Sequence, residues 1–383
     1  MFRRVRTLTI TLMCVLAVMG QALGQGTRIV EAMETEPTNL DLFAASRRPE
    51  FKILSMIHEP LLVLNKSLEV EPLLAESWIL SDDQLTLTLT LKSGIQFHDG
   101  TDFNADAVKF SLDLHREGGS HASLLSAVDE IEVTSPTEVV LHLSSPSPLL
   151  LESLASYWLG MVSPEAFTSS GDAWGNSVMV GTGPYKFTDW QSGDRITLDR
   201  NDAYVHGPSF VRSTGPAAIE QWTIRFIREP ATLLAELMSG NVDISDYILE
   251  KDFEEVAAHR NTNAIVKETS AMTYLALNTG MCAPNRISPL TDVRVRRAMN
   301  YAIEKNAVMQ AALAGQGSVG YASIAPSTIG YWPGADELGS ALSNYDPDLA
   351  RELLEEAGWT EGPSGVRVKD GQELTIELYA FTI

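Results

Sequence analysis

Residues 74–112, LAESWILSDDQLTLTLTLKSGIQFHDGTDFNADAVKFSL, decide how this chain is read. Between Leu85 and Leu91 apolar Leu alternates with polar Thr at period two, the pattern of a strand with one buried face. Ser81, Asp82 and Asp83 supply a turn before it, so a β-hairpin is expected. Asp99-Gly100 marks a second turn. Asn104 then stands at the N-cap of a helix that carries Ala107, Val108, Phe110, Ser111 and Leu112 on one face and runs to about His115.

On the N-terminal side, residues 27–33 read as a strand broken by Pro37-Thr38-Asn39, and residues 51–57 have the length of a short helix. Downstream, 139–143 alternates as a strand and 147–154 reads as a helix. Strands are expected at 197–199 and 222–227. Pro230 at a first helical position and Gly240 just past the end bracket a helix leading to Val242-Asp243-Ile244. Strand, helix, strand is the repeating unit of an α/β lobe. Farther on, Asp292 caps a helix whose Val295, Ala298, Met299, Ala302 and Ile303 fall three and four apart, with Gly315 stopping it. A last helix is punctuated by Asp346 at the N-cap, Pro347 at the first turn and Gly358 at the end, with Leu349, Leu353 and Leu354 on one face. Residues 374–383, LTIELYAFTI, read as a strand with no turn or polar tail behind it, so a C-terminal truncation is expected.

The residues give no sign of catalysis. The seven histidines include no HExxH and no helical pair at ligand spacing. His115 and His121, six apart across Gly118-Gly119, leave a shared metal open. Gly317-Ser318-Val319-Gly320 has the wrong spacing for a nucleophile elbow. Gly181-Thr182-Gly183-Pro184 lacks the third glycine of a dinucleotide loop and the GK[ST] of a P-loop, so it reads as a tight turn. His98-Asp99 is explained by turn formation, and Asp82-Asp83 and Glu254-Glu255 by solvated faces. No catalytic residue, metal or cofactor is expected, and the chain does not read as an enzyme.

Arg3, Arg4 and Arg6 precede an apolar run over residues 8–18, and Ala22-Leu23-Gly24 offers small residues to a signal peptidase. Residues 1–24 therefore read as a cleaved signal peptide, with cleavage before Gln25 and periplasmic delivery. Leu12-Met13 ahead of Cys14 lacks the small residue of a lipoprotein signal, and Val5-Arg6-Thr7 does not continue the twin-arginine pattern, so general secretion is favoured. No other stretch approaches the roughly 18 apolar residues of a membrane span. A net charge of −22, more negative once the three arginines are lost, excludes nucleic acid as a partner. After cleavage only Cys282 remains, as a buried small hydrophobe or as half of a bridge to a cysteine beyond this sequence.

The opening segment resembles a signature of the extracytoplasmic solute-binding proteins of ABC importers, in the peptide- and nickel-binding class. Four later segments agree in order: GTGPYKF (181–187), LLAELMSGNVDI (233–244), LALNT (275–279) with DVRVRRAMNYAIEKNAV (292–308), and YDPDLARELLEEAGW (345–359). The resemblance implies an α/β, two-lobe periplasmic-binding-protein-like fold with an extra N-terminal subdomain and an incomplete second lobe. Lobe I would comprise 25–62 and 185–270, an inserted α+β subdomain 63–184, and partial lobe II 271–383. It implies capture of di- or oligopeptides or nickel chelates and delivery to ABC permease subunits in the inner membrane, by a monomer. A secreted hydrolase and a peptide-signal sensor are the competing readings. Carried over from the family, Asn39, Arg47 and Phe51 would face the cleft, with Tyr157 and Trp158 at the subdomain return and Tyr274 and Asn278 near the crossing. The aromatics would pack apolar parts of a solute and Arg47 would pair a carboxylate or a chelator oxygen. For each aromatic, core packing is an equal alternative.

Overall fold

The computed structural model describes residues 27–267, 269–279 and 289–379. The signal segment, Cys14, Cys282 and residues 380–383 lie outside the described residues. Two compact units meet between Ile248 and Leu249.

In the first unit the elements are β1 (Arg28–Met33), α1 (Arg48–Ile57), β2 (Leu62–Leu64), β3 (Val70–Pro72), β4 (Ala75–Leu80), β5 (Thr86–Leu91), α2 (Ala105–Gly118), β6 (Val128–Ser135), β7 (Glu138–Leu143), α3 (Leu150–Leu154), α4 (Pro164–Ser170), β8 (Tyr185–Gln191), β9 (Arg195–Arg200), β10 (Gln221–Phe226), α5 (Pro230–Ser239) and β11 (Ile244–Ser245). One sheet has the order β11-β1-β10-β9-β8, with β1 parallel to both β10 and β11. A second sheet has the order β4-β5-β7-β6 and is antiparallel throughout.

The opening segment folds as its pattern demands. β4 and β5 form the hairpin, and Leu87, Leu89 and Leu91 are buried while the threonines between them are half-buried. Burying three leucines contributes roughly 2 kcal/mol each. Asn104 Oδ1 accepts from Ala107 N at 3.0 Å, and the helix it caps buries Ala107, Val108, Ser111, Leu112 and His115. That helix runs one turn past the expected end, to Gly118. Strand β6 escaped the period-two reading because register shifts near Val128/Glu130 and Val133/Ser135 bulge it, so Val128 and Ile131, three apart, both point inward. Gly240, at φ 79°, closes α5 in the left-handed conformation that glycine takes without cost.

The two sheets have separate cores: Leu74, Leu87, Leu89, Val108, Leu112, Leu141 and neighbours in one, Leu40, Ile53, Leu54, Ile57, Ile196 and Ile224 in the other. They are joined along a polar seam where residues 57–62 run beside 160–163 and 180–183. The glycines of GTGPYKF belong to this seam: a Cβ on Gly181 would lie 2.1 Å from Ile57 O and one on Gly183 2.5 Å from Met56 O. The segment bends, but close approach to the end of α1 is what requires glycine there. Buried imidazoles clip the seam. His58 Nδ1 donates to Met161 O (3.0 Å), His115 Nε2 to Gly160 O (3.2 Å) and His98 Nε2 to Gly183 O (3.0 Å). Glu59 is its hub, its carboxylate accepting from Thr182 Oγ1 (2.9 Å), Tyr204 OH (2.5 Å) and His206 Nε2 (2.7 Å). Burial and the Glu59 charge push the Tyr204 phenol upward.

In the second unit the elements are α6 (Phe253–Ala258), α7 (Val293–Ala302), α8 (Lys305–Leu313), α9 (Pro333–Ser343), α10 (Pro347–Glu356), β12 (Thr360–Glu361), β13 (Arg367–Lys369) and β14 (Gln372–Glu373). Asp292 and Asp346 cap as expected, accepting from Arg294 N and Leu349 N, both at 2.9 Å. The single helix expected from Asp292 to Gly315 is two, because Ile303 turns extended and Glu304 caps a new start. Tyr301 is buried on α7, and Ala302 is exposed. Residues 374–379 of the expected last strand carry no regular structure, although Leu374 N donates to Arg367 O at 2.7 Å, since alternation becomes a strand only where a ladder forms.

Burial pushes the imidazoles of His58, His98 and His115 down to about 4. Their folded pKa lies below the unfolded value near 6.5, so their stability is full above pH 6.5 and is lost as pH falls through that value toward 4. Each should cost about 1.4 kcal/mol per pH unit across that window, and His115→Gln should flatten the fall in urea midpoint measured between pH 7 and pH 4. Glu59→Ala strands three buried donors and should lose about 3–5 kcal/mol in the same assay.

Candidate ligand-binding face of the first unit

Because β11, β1 and β10 are parallel, their carboxyl ends share one edge, and the chain leaves that edge in the loops after Met33, Phe226 and Ser245. Crevices outside the carboxyl ends of parallel strands are where open α/β sheets bind ligands. The loop from Glu34 to Arg47 is folded tightly on itself. Asn39 Oδ1 accepts from Asp41 N (3.1 Å), and Asp41 Oδ1 accepts from Phe43 N (3.0 Å) and Trp174 Nε1 (3.2 Å). Asn39 therefore spends its side-chain oxygen on shaping the loop.

Charges at this edge are paired. Arg47 is half exposed and donates through Nε (3.1 Å) and Nη2 (2.7 Å) to Glu50 Oε1, which is buried in the first turn of α1 and also takes Thr38 N (3.3 Å). Glu50 thereby orients Arg47 and leaves Nη1 outside that pairing. Lys52 bridges Glu31 and Asp246, the latter at 3.1 Å, and Arg48 reaches Asp246 at 2.9 Å. Trp222 Nε1 donates to Glu31 at 2.9 Å. Glu36 accepts from Trp190 Nε1 and Gly193 N, both at 3.0 Å. Partial burial raises its carboxyl, but those donors outweigh burial and hold it below the usual range.

Beside Arg47 lies an aromatic shelf. Phe51 packs on Trp158 with centroids 4.9 Å apart and edge-on to Tyr157 at 6.3 Å, while His121 stacks on Trp158 at 4.3 Å and 24°. Burial pushes the Tyr157 phenol up to about 12, with the Glu59 carboxylate adding to it. All three shelf aromatics are half-buried, which suits partial core packing and an accessible ring face.

The structure thus brings Phe51, Tyr157 and Trp158 into contact, with Arg47 one helical turn before Phe51. Tyr274 and Asn278 are exposed on irregular chain in the second unit. Sequence reasoning missed Glu50, whose signal is a carboxylate three residues after an arginine at a helix start. It also missed Asp246, for which no local signal exists, since it meets α1 only through the sheet. His98-Asp99 is a turn, as expected: Asp99 accepts from Ser163 Oγ (2.6 Å) and Thr101 N (3.0 Å), and His98 bonds to a backbone carbonyl. His115 and His121 each donate to a carbonyl, and among the described residues no group of three or more His, Cys, Asp or Glu is placed to hold a metal.

The profile of the bacterial extracellular solute-binding proteins, family 5 (middle region), matches residues 69–382, and the chain belongs to this family. Its relatives include the glutathione-binding protein GsiB of Escherichia coli K12, 29% identical over 343 residues that cover 87% of this chain and 62% of GsiB. The chain spans just over three-fifths of the length of such relatives. Among solved structures, NikA from Brucella suis in complex with Fe(III)-EDTA is 30% identical with a TM-score of 0.77, covering 91% of this chain and 68% of NikA. AppA from Bacillus subtilis in complex with a nonapeptide shares the fold at 22% identity, TM-score 0.71, with 91% and 68% covered.

Removing the carboxylate that orients Arg47 tests the charge arrangement. Glu50→Ala leaves Thr38 N without its acceptor and should cost about 1–3 kcal/mol in a denaturant melt.

Proposed function

We propose that the protein is the solute-binding component of an ABC importer. It captures peptides or nickel chelates in the periplasm after cleavage of residues 1–24, and hands them to permease subunits of the inner membrane as a monomer. The observation that carries this reading is the family match across most of the chain, coupled to a paired-charge, aromatic face at the carboxyl ends of the parallel strands of the mixed sheet. Lobe I (25–62 and 185–270) and partial lobe II (271–383) would close on the solute, with the subdomain 63–184 attached to lobe I. Arg47 would take a carboxylate, Phe51, Tyr157 and Trp158 would cover apolar surface, and Asn39, Tyr274 and Asn278 would complete the contacts.

Closure would be the transport signal. A solute that touches both lobes only in the closed form stabilises that form, and a micromolar dissociation constant corresponds to roughly 8 kcal/mol, enough to reverse an open-to-closed equilibrium. The seam histidines bond backbone carbonyls, and Ser163, which donates to Asp99, is fully buried and caps α4, which weighs against the hydrolase reading.

GsiB is named for glutathione and NikA was solved with a metal chelate, so glutathione, dipeptides, a nonapeptide and nickel with histidine form the first panel. A binding solute at a hundred times its Kd should stabilise the protein by about 2.7 kcal/mol in a thermal melt. Trp158→Ala should weaken that solute about tenfold or more by calorimetry. Release of product from any solute in the panel would overturn the transport reading in favour of hydrolysis.

A further inference from the structure

The turn that follows α2 grips the loop between β1 and α1 by three successive carbonyls. Ser120 N donates to Phe43 O (2.7 Å), Ser120 Oγ to Ala44 O (3.1 Å) and His121 Nε2 to Ala45 O (3.1 Å). The His121 ring then stacks on Trp158, and Trp158 packs on Phe51 of α1. One short turn thus touches both the loop that delivers Arg47 and the shelf beside it.

We infer that Ser120 and His121 are positioning residues for the solute, an inference that rests on the binding role proposed above. They fix residues 43–47 and the plane of Trp158, so that Arg47, Phe51 and Trp158 form one preformed face. The physical ground is preorganisation: a loop ordered before binding does not charge its ordering entropy against affinity. The two halves of the loop have different anchors outside it, while within it Ala44 N and Ala45 N turn back on Asp41 O at 3.2 and 2.8 Å. Residues 40–42 are anchored by Leu40 N to Gly175 O (2.7 Å) and by the Trp174–Asp41 bond. The Phe43 ring packs between His115 and Phe167. Beyond Phe43, the carbonyls of Ala44 and Ala45 face Ser120 and His121, immediately before Arg47 ion-pairs with Glu50. The imidazole does two jobs that substitution separates: Phe keeps a ring on Trp158 without a donor, and Gln keeps a donor without the ring.

Hydrogen exchange and calorimetry on the whole chain test this with glutathione, Ala-Ala and nickel with histidine as probes. In a Ser120→Ala, His121→Phe double variant, amide exchange at Ala44 and Ala45, whose N–H groups bond Asp41 O, should rise about tenfold while 40–42 and 86–91 stay unchanged, and the Kd of the bound probe should weaken about fivefold or more. His121→Gln, which keeps a donor, should retain most of the exchange protection, while loss of the stacked ring should shift the tryptophan emission, a shift that His121→Phe should not produce. Unchanged exchange at Ala44 and Ala45, a rise spread evenly over the unit, or a local rise with unaltered Kd would each overturn the inference. If the unaltered chain binds none of the probes, the binding reading falls first and takes this inference with it, an outcome distinct from a variant-specific effect.

Discussion

A buried carboxylate with three donors organises the first unit. Glu59 is 2% exposed, and an isolated charge at that depth would cost several kcal/mol. Thr182, Tyr204 and His206 offset that cost, and they come from chain far apart in sequence, from the return of the antiparallel-sheet region and from the loop after β9. Satisfying one carboxylate therefore fixes how the antiparallel sheet sits on the mixed one. The backbone of the seam follows, with Met161 N on Glu59 O and Gly183 N on Ile57 O.

From this seam the geometry passes to the candidate site. Residues 57–62 are the exit of α1, and the entry of the same helix carries Arg47, Glu50 and Phe51. Tyr157 and Trp158 lie on the chain just before the seam segment at Met161, so anchoring that segment brings them against Phe51. The antiparallel sheet region is thus more than a support set behind the site: through Ser120 and His121 it reaches the loop itself. The cations of the carboxyl edge, paired to Glu31, Glu50 and Asp246, keep an acidic chain locally balanced where a solute would approach.

Much of the fold was legible because its signals are local. The Leu-Thr alternation of 85–91, the Asn104, Asp292 and Asp346 caps and the Pro230 and Gly240 brackets each rest on residues within one turn of each other. What was illegible depends on partners. The bulged β6 hides its period, the break at Ile303 has no glycine or proline to announce it, and 374–379 alternates without a ladder. At the site, Arg47 and the aromatics were visible as residue types, whereas their partners Glu50 and His121, and the Asp246 that pairs with Arg48 and Lys52, were found in the packing.

The sequence by itself determined the class of the fold and the absence of a recognisable catalytic motif, because strand period, caps and turn chemistry are written in neighbouring residues, and the family entered through a resemblance of five ordered segments that the profile match bears out. Tertiary structure decided the use of each group: that glycines 181 and 183 admit a helix end, that His58, His98 and His115 are neutral clips, and that Arg47 answers to Glu50. The physical reason is that burial and hydrogen-bond pairing are properties of contacts, and the contacts that matter here join residues as much as 198 positions apart.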